Sequence, residues 1–336
     1  MKYLISNEGS FYKANLHSHS TCSDGRFTPE ENKERYKAMG YSVYAFTDHG
    51  RLHPQDHLTD ETFLALNGLE IGLSSQPDKE APDYNVRKNC DIGLIAPAGV
   101  TEIYPYAPKR KLFNPDYNPD DPSTAKAPTY SPRYVWDIMR NFREMGYFVT
   151  HNHPAWSMER HEDYKHYRGM HALEIMNNGC ISTGVFEYND HVYQQYLERG
   201  ERIWCIAGDD NHNKLQPGRL DDSFGAWTMI KAKELTYESV MEALFAGSFY
   251  ASEGPEIKEL YVDDENTLHV VTSPVQWIRI SSANRTRKLV IDQNGELVCE
   301  AQMELNPNQK FVRVTIFDEH GKYAYSNAYF MDDILK

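Results

Sequence analysis

The sequence predicts an α/β barrel over residues 1–255 followed by a small antiparallel β-domain over residues 256–336. Three observations predict this fold. Short apolar runs alternate with amphipathic stretches in the first part, polar side chains follow the ends of those runs, and after Gly254-Pro255 the pattern becomes alternating apolar and polar residues. A chain of 336 residues is long enough for a barrel with an appended domain.

The first strand–helix unit shows the format that the later units repeat. FYKANL (11–16) predicts a strand, and the helix after it begins with Thr28 as N-cap and Pro29 at N1 and ends at Gly40. YSVYAFTDHG then predicts a buried strand that ends in a polar turn. The later strands and helices are predicted within residues 131–154, 171–177, 190–212, 223–232 and 236–252.

Residues 74–131 interrupt this pattern and are rich in Pro, Tyr, Asp and Asn. A loop of this length in a compact domain is either a lid over a site or a mobile insertion, and the sequence leaves both open. After residue 255, runs such as TLHVVTS, QWIRISS and RKLVIDQNGELV alternate around NG and HG turns, which predicts a β-sandwich.

Charge and cysteine content narrow the possible partners. Lys and Arg number 35 and Asp and Glu 49, which gives a formal net charge of −14. Such a chain repels polyanions, so we expect no extended nucleic-acid surface and no membrane partner. The five cysteines are widely spaced without a CxxC pair, which excludes a disulfide scaffold and fits a reducing compartment. Without an apolar leader or a long apolar run, the expected location is the cytoplasm.

Histidines and carboxylates follow or lie within several of the predicted strands. His17 and His19 form an HxH pair, and residues i and i+2 of a strand face the same side, so both imidazoles can reach one ion. The other members of the set are Asp24, His49, Glu70, His153, Asp210 and His212. Any one of these histidines alone would more often be a surface or hydrogen-bonded residue, but their joint placement predicts a metal site.

The donor types also indicate which ions would bind. Neutral imidazoles with a few carboxylates suit Zn, Mn or Fe rather than Ca or Mg alone. Two or three such ions, about 3.5–4 Å apart, can bind a phosphate, generate hydroxide and stabilise a leaving oxygen. Glu70 has two carboxylate oxygens and could bridge a pair of ions.

These motifs resemble those of the PHP (polymerase and histidinol phosphatase) superfamily of metal-dependent phosphoesterases, in its stand-alone form with a C-terminal β-domain. The resemblance covers roughly residues 12–255 and is carried by HSHSTCSDG (17–25), TDHG (47–50), GLEIG (68–72), HNHPAW (151–156) and GDDNH (208–212). It implies a distorted (β/α)7 TIM-like barrel, a site of two or three metal ions at the carboxyl ends of the strands, and hydrolysis of phosphate esters by a metal-bound hydroxide.

By position, the resemblance implies that His17, His19, Glu70 and Asp210 hold one ion, and that Glu70 bridges to a second ion shared with His153. Asp210 is preferred to its neighbour at position 209 because the family spacing is Asp-x-His. His153 is preferred to the histidine at position 151 because the family residue usually precedes a proline.

The resemblance further implies that Asp24, His49 and His212 hold a third ion or contact the phosphate, and that one of them assists proton transfer. One departure concerns the second ion. Family members usually carry another histidine where KNCDIGLIA offers Cys90. A thiolate is a good zinc ligand, but a buried cysteine is more often a small apolar residue, and Asp91 or His151 could substitute for it.

Substrate contacts are predicted from residues near these motifs. Arg26 and Arg219 could compensate phosphate charge through a bidentate fork, and Asn177 ends a predicted barrel strand. The basic run Lys109–Lys111 is either a phosphate contact or, more simply, a solvated surface run. Aromatic residues that could stack on a base or a sugar, or could simply pack, are Tyr104, Tyr106, Tyr117, Tyr130 and Trp156.

The sequence therefore predicts an enzyme that hydrolyses a small phosphorylated substrate, a phosphomonoester or a nucleotide. One alternative is a phosphodiesterase that acts on the ends of oligonucleotides, and another is a catalytically idle metal-binding scaffold. The β-domain offers no cluster of ligands and would stiffen the barrel or form a dimer contact. The sequence does not predict the oligomeric state.

Overall fold

The computed structural model describes residues 1–75, 88–101, 130–214, 220–283, 285 and 287–335. Most of the interruption predicted over residues 74–131 lies outside these ranges, as do Arg219, Lys109–Lys111, Tyr104, Tyr106 and Tyr117. The choice between a lid and a mobile insertion therefore stays a prediction. The described part of that segment contains a regular strand, residues Asn89–Ile95, where the sequence pattern predicted a break.

The described residues form a mixed α/β structure. The strands are β1 Lys2–Tyr3, β2 Ser10–Asn15, β3 Val43–Phe46, β4 Leu64–Ser74, β5 Asn89–Ile95, β6 Phe148–Asn152, β7 Ala172–Asn177, β8 Trp204–Gly208, β9 Trp227–Ala232, β10 Phe249–Ser252, β11 Ile257–Val262, β12 Thr267–Val275, β13 Trp277–Ser282, β14 Arg287–Val290, β15 Val298–Glu304, β16 Phe311–Phe317, β17 Tyr323–Ser326 and β18 Tyr329–Phe330. The α-helices are α1 Pro29–Ala38, α2 Pro132–Glu144, α3 His161–Tyr164, α4 Asn178–Ser182, α5 Asp190–Glu198, α6 Tyr237–Ala246 and α7 Met331–Ile334.

Local sequence explains why these helices begin where they do. The Thr28 hydroxyl accepts from the Glu31 N–H, and the Glu31 side chain accepts from the Thr28 N–H, so both ends of a capping box are present at α1. Ser131 and Thr236 cap α2 and α6 in the same way through their side-chain oxygens. α6 ends at Gly247, whose φ of 70° is the left-handed conformation that glycine adopts without steric cost.

One large sheet carries the predicted barrel strands. Its strand order is β14-β13-β16-β17-β10-β9-β2-β3-β4-β5-β6-β7-β8, with β18 paired to β16. β2, β3 and β4 run parallel to one another, and so do β6, β7 and β8. β5 runs antiparallel to both of its neighbours, and β9 runs antiparallel to β2. The sheet is therefore mixed, unlike the sheet of an all-parallel barrel.

The sheet is not closed among the described residues, so the predicted TIM-like (β/α)7 barrel is not confirmed. β8 lies beside β9 through side-chain contacts instead of a backbone ladder: the Thr228 hydroxyl accepts from Ala207 N at 3.1 Å and donates to Ala207 O at 2.9 Å. Beyond the carboxyl ends of β2 and β8, an isolated parallel bridge joins Ser18 to Asn211. At this point of the seam a polar side chain takes the place of ladder hydrogen bonds.

The C-terminal residues form the second hydrophobic core. A four-stranded sheet of order β1-β11-β12-β15 faces the β13–β16 end of the large sheet. Strands of both sheets alternate buried and exposed residues, and Leu260, Val270, Ile280 and Val314 share one apolar cluster. The sandwich is shown only in part, because one of its two sheets continues into the barrel strands through the antiparallel pair β10–β17.

Among the residues that the structure describes, no helix is both long and apolar enough to cross a bilayer.

Candidate metal centre

The first donors of the site lie just beyond the carboxyl end of β2. His17 and His19 are 2% and 0% exposed. Their backbone is held by the segment after β8, because Asp210 N donates to His17 O at 2.9 Å and His19 N donates to Asn211 O at 3.1 Å. Two chain segments about 190 residues apart in sequence are thereby fixed side by side.

We define the inner cluster as His17, His19, Glu70 and Asp210, all of them buried. The Nε2 atoms of the two histidines are 3.4 Å apart. Asp210 Oδ1 lies 3.3 Å from the first and 2.9 Å from the second. Four ligands about 2.1 Å from one ion in a tetrahedral arrangement are separated from each other by about 3.4 Å. The inner cluster thus has the spacing that a single divalent ion requires.

The Glu70 carboxylate lies at the centre of the histidines. Its Oε1 is 3.1 Å from His17 Nε2 and 3.3 Å from His153 Nε2. Its Oε2 is 3.4 Å from His19 Nε2 and 3.3 Å from His49 Nδ1. Each oxygen therefore faces two imidazoles, and this is the arrangement of a carboxylate that can bridge two cations.

We define the outer cluster as His19, Asp24, His49 and His212. The His19 ring lies between the other two imidazoles, with ring centroids 4.2 Å from each. Asp24 Oδ1 lies 3.3 Å from His212 Nε2 and 3.7 Å from His49 Nε2. The Lys214 ammonium donates to Asp24 Oδ2 at 2.8 Å. This cluster is more open to solvent than the inner one.

Glu174 is a site residue that the sequence analysis did not identify. It is fully buried on β7, where its Oε1 accepts from His17 Nδ1 at 3.0 Å and its Oε2 accepts from His153 N at 3.0 Å. A carboxylate on the far nitrogen of a metal-ligating histidine fixes the tautomer and raises the basicity of the ligating nitrogen. The available signal was a lone carboxylate inside the apolar run HALEIMN.

Asn177, predicted to contact substrate, is used inside the protein instead. Its amide nitrogen donates to Glu174 Oε2 at 2.9 Å and to Asp210 Oδ2 at 3.2 Å, and its oxygen caps the Cys180 N–H at 2.9 Å. Both ends of the amide are therefore occupied. The geometry corrects the predicted role, because Asn177 orients the Asp210 carboxylate and does not project toward a ligand.

Two donors have backbone conformations that side chains other than glycine seldom adopt. His153 has a φ of 24° and Asp210 a φ of 50°. Such conformations cost on the order of 1–3 kcal/mol each and persist where surrounding structure over-determines them. Gly208 adds a close approach, since a Cβ there would lie 2.9 Å from the His17 Cβ. Backbone strain at His153 and Asp210 therefore accompanies the orientation of their side chains toward the site.

The pKa values of the inner-cluster histidines show that the buried carboxylates around them carry excess negative charge. Burial alone would lower the pKa of His17, but the charges of Asp210, Glu70 and Glu174 outweigh it and raise that pKa well above its ordinary value. Burial alone would also lower the pKa of His19. The Asp210 and Glu70 carboxylates outweigh burial and raise that pKa to about 9. The buried carboxylates therefore attract positive charge, which a divalent ion would supply in place of protons.

Two buried polar atoms of the clusters also lack a hydrogen-bond partner within the described structure. They are His19 Nδ1, which faces the outer cluster, and Asp210 Oδ1, which faces the inner cluster. Buried polar atoms almost always have a hydrogen-bond partner, and a role in binding an ion is one accepted explanation for the exceptions. Together with the donor spacing, these atoms show that the residues present fit divalent metal ions.

Cys90, left open as a ligand, lies away from both clusters. It is fully buried beside His151 and Glu159, and burial raises the pKa of its thiol well above the ordinary value. His151 is a hydrogen-bonded core residue, with Nε2 3.1 Å from Glu159 Oε2 and Nδ1 3.1 Å from the Tyr196 hydroxyl. The next residue of β5, Asp91, instead lines the metal-centre cavity.

Asp91 is therefore the residue of β5 that faces the predicted site. Its Oδ2 lies 3.9 Å from His153 Nδ1 and 3.3 Å from the Ser157 hydroxyl. Burial and the charge of Glu70 raise the pKa of Asp91 to about 7. Its position beside the Nδ1 side of the imidazole is suited to orienting that ring.

The two aspartates after β8 have separate roles. Asp209 points away from the clusters and accepts from the N–H groups of Phe224, Gly225 and Ala226 and from the Tyr36 hydroxyl. A buried carboxylate with four such partners anchors the loop that leads to β9. The side chain that enters the inner cluster is that of the following residue.

Asp48 anchors the loop between the two histidine clusters. It is buried and accepts from Ser20 N and from the hydroxyl groups of Ser20 and Ser23, at 2.8, 2.8 and 2.7 Å. These contacts hold the turn that carries Asp24. The carboxylate in TDHG is therefore a supporting residue, while the histidine beside it faces the site.

Of the two arginines predicted to contact the phosphate, the structure describes only Arg26. Arg26 is exposed, its N–H donates to His212 O at 2.9 Å, and its side chain is not among those that line the described cavity. Its predicted role as a phosphate contact is therefore not supported by the geometry. Arg219 lies outside the described residues.

No protein-family model matches the sequence, and no curated protein matches it. Solved structures do resemble the chain. A two-domain protein from Bacteroides vulgatus, described as containing a PHP-like metal-dependent phosphoesterase assigned by prediction, is 15% identical, with a TM-score of 0.43, over 98% of this chain and 99% of that one. A protein from Bifidobacterium adolescentis, provisionally described as a metal-dependent phosphoesterase, is 15% identical, with a TM-score of 0.40, over 65% and 94% of the two chains.

A third structure is an amidohydrolase from Chromobacterium violaceum with bound sulfate and no metal. It is 17% identical, with a TM-score of 0.35, over 61% of this chain and 88% of that one. Two of the three structures are described as metal-dependent phosphoesterases. Because all three TM-scores are below 0.5, the assignment of a function depends on the chemistry of the site itself.

Proposed function

We propose that this protein is a metal-dependent phosphoesterase that hydrolyses small phosphate esters at a centre of two or three divalent ions. The observation that carries the proposal is the Glu70 carboxylate, whose two oxygens face four histidine nitrogens at 3.1–3.4 Å. A carboxylate whose two oxygens each face two imidazole nitrogens can bridge cations that the neutral imidazoles also ligate.

The residues fall into groups that would each hold an ion. The inner cluster would hold one, and Glu70 with His153 would hold a second that shares the carboxylate. The outer cluster would hold a third or contact the phosphate. When bound, the ions would lower the pKa of water to supply a nucleophile near neutral pH and would offset the charge of the phosphate oxygens.

Supporting residues hold these donors in position. Glu174 accepts from His17 Nδ1 and leaves Nε2 as the ligating nitrogen. The His212 Nδ1–H donates to Asp210 O at 3.0 Å, which leaves its Nε2 toward Asp24. His212 is half-buried and lines the cavity, so if the outer cluster contacts the phosphate instead of holding an ion, its Nε2 would be free to exchange a proton with a leaving oxygen.

The cavity wall gives a second reason for metal dependence. Among its lining residues in the described parts of the chain, none is Arg or Lys, while Asp91, Asp210 and Asp222 contribute carboxylates. A phosphate dianion entering such a cavity would meet net repulsion without added cations. Imidazole and carboxylate donors in this ratio suit Zn, Mn or Fe.

The test is hydrolysis of a generic aryl phosphate by the full chain after chelation and after replenishment with Mn or Zn. We expect chelation to abolish release of inorganic phosphate and one of the ions to restore it. Activity that is unchanged by both treatments would contradict the proposal. Release of mononucleotides from a short oligonucleotide, without release of inorganic phosphate from monoesters, would favour the oligonucleotide-end alternative instead.

A further inference from the structure

The cavity above the metal centre is too small to hold a whole substrate. Its volume is about 180 Å³, and it is lined by donors of both clusters, including His49, Glu70 and His212. Pockets that enclose a complete ligand of drug size have volumes of about 300–1,000 Å³. Within the described residues, only the reacting phosphate and the atoms next to it fit inside, so the rest of an ester must lie on the rim.

Trp156 forms part of that rim. It lines the same cavity as the metal donors, and 47% of its surface is exposed. The indole is therefore divided between the mouth of a polar cavity and solvent. A large aromatic face in this position offers apolar contact to a group that emerges from the cavity.

The backbone under the indole is fixed by a buried carboxylate. Glu187 is fully buried, and its two oxygens accept from Ala155 N at 3.2 Å and Trp156 N at 2.6 Å. Ser157 N also donates to His153 O at 3.1 Å, which ties the same loop to the metal-centre turn. Burial of a carboxylate is costly, and here it rigidifies a loop whose side chain remains exposed.

Two further exposed apolar side chains belong to the loops that Glu187 joins. Met158, on the loop of Trp156, is 73% exposed, and Phe186, immediately before Glu187, is 78% exposed. The Phe186 ring lies 5.0 Å from that of Tyr188. Neither Met158 nor Phe186 lines the cavity, so Trp156 is the exposed apolar residue of these loops that a group emerging from the cavity would meet.

The charge of the cavity wall limits what the emerging group can be. Asp91 and Asp222 line the cavity, and neither belongs to the inner or the outer cluster. A second phosphate or carboxylate on the substrate would meet these carboxylates at short range. The group on the rim is therefore expected to carry no second negative charge.

We propose that Trp156 is the leaving-group subsite and that the preferred substrate is a phosphomonoester of an aromatic alcohol without a second anionic group. This inference rests on the proposed phosphoesterase function and names its substrate class. The aromatic ring would stack on the indole while the phosphate lies at the metal centre. Stacking on an aromatic side chain contributes about 1–3 kcal/mol per ring, which corresponds to a preference of about 5-fold to 150-fold.

The test uses phenylphosphonate, which resembles the phosphate ester of an aromatic alcohol, and methylphosphonate, which resembles an ester without an aromatic ring. Neither compound is hydrolysed. Binding of each to the Mn-loaded full chain is measured by calorimetry. We expect the wild type to bind phenylphosphonate about tenfold more tightly, and Trp156→Ala to reduce that ratio to about one without changing the affinity for methylphosphonate. Trp156→Phe should keep most of the preference.

Trp136→Ala, in α2, is the matched control and should keep the full preference for phenylphosphonate. Every variant should also keep the metal content of the wild type. A preference that survives in Trp156→Ala, or an equal loss of affinity for both ligands with metal retained, would overturn the subsite. A wild type that binds both ligands equally would also overturn it, while leaving the phosphoesterase proposal intact. A wild type that binds neither ligand and hydrolyses no aryl phosphate would contradict the proposed function itself.

Discussion

The inner and outer clusters have similar donors but very different surroundings. In the inner cluster the side chains of His17, Glu70 and Asp210 are 2%, 1% and 11% exposed. In the outer cluster Asp24 and His49 are 46% and 43% exposed. Charges interact more strongly where water is excluded, so we expect a tightly held ion in the inner cluster and an exchangeable one in the outer cluster.

The backbone that carries the inner cluster is also held by more regular structure than the backbone that carries the outer cluster. Inner donors are attached to strand β4 and to the paired segments after β2 and β8, whereas Asp24 lies in a turn. The Lys214 ammonium already pairs with Asp24 and would compete with an ion. We therefore expect burial and competing charge, more than the identity of the donors, to make the inner cluster a tight metal site and the outer cluster a weak one.

The largest effect is expected from Glu70→Gln, because this carboxylate belongs to the inner cluster and also faces His49 of the outer cluster. We expect loss of all bound metal and a decrease in aryl phosphatase activity of more than about a hundredfold. Metal content is measured by mass spectrometry of the purified protein. Glu159→Gln makes the same chemical change at a buried carboxylate outside both clusters and should retain metal. If Glu70→Gln retained its metal, the bridging role would be wrong.

Asp210→Asn and Asp24→Asn compare the two clusters directly. Asparagine tolerates the left-handed backbone at position 210, so the first variant tests charge without adding strain. We expect excess Mn to restore activity to Asp24→Asn but not to Asp210→Asn, since only the outer ion is exchangeable. Activity is measured over a range of Mn concentrations. Equal rescue of both variants would remove the distinction.

Glu174→Gln tests the support behind the inner cluster. An amide cannot accept from both His17 Nδ1 and His153 N while also facing the Asn177 amide, so the histidines lose their fixed orientation. We expect metal affinity to fall about 10–100-fold, as for other residues that orient metal ligands. Competition with a chromogenic chelator gives the affinity. Unchanged affinity would show that Glu174 has only a packing role.

The smallest effect concerns thermal stability during stepwise chelation. Removal of the outer ion should leave the unfolding temperature nearly unchanged, because its donors are exposed. Removal of the inner ion should lower it by at least a few degrees, since a ligand at a hundred times its Kd contributes about 2.7 kcal/mol. Calorimetry at each metal stoichiometry checks this. A single simultaneous transition would indicate one coupled centre instead of two regions.

Much of the site was predictable because its donors follow strand ends. Parallel strands bring their carboxyl ends to one edge, so the spacing of His17, His49 and Asp210 along the sequence was enough to place them together. Asp-x-His spacing and the proline after His153 also separated each donor from a similar neighbour. The assignment of these residues as ligands stays a prediction until metal is measured.

Other features depended on tertiary structure that no local pattern reports. β5 was hidden by the polar composition around it, and no local pattern indicates that β8 and β9 lack a backbone ladder. Asn177 and Glu174 lie on the same strand, and only the geometry shows that the amide serves the carboxylate network. The cytoplasmic location and the absence of an extended nucleic-acid partner remain untested predictions.

The continuity of the large sheet has a consequence for any attempt to shorten the protein. β10 pairs with β17 on one side, and β1 at the other end of the sequence pairs with β11. A fragment that stops at residue 255 would expose the free hydrogen-bonding edge of β10 and would uncover Leu4 and Ile5. Exposed strand edges recruit other strands, so such a fragment is expected to self-associate into aggregates instead of yielding a minimal enzyme.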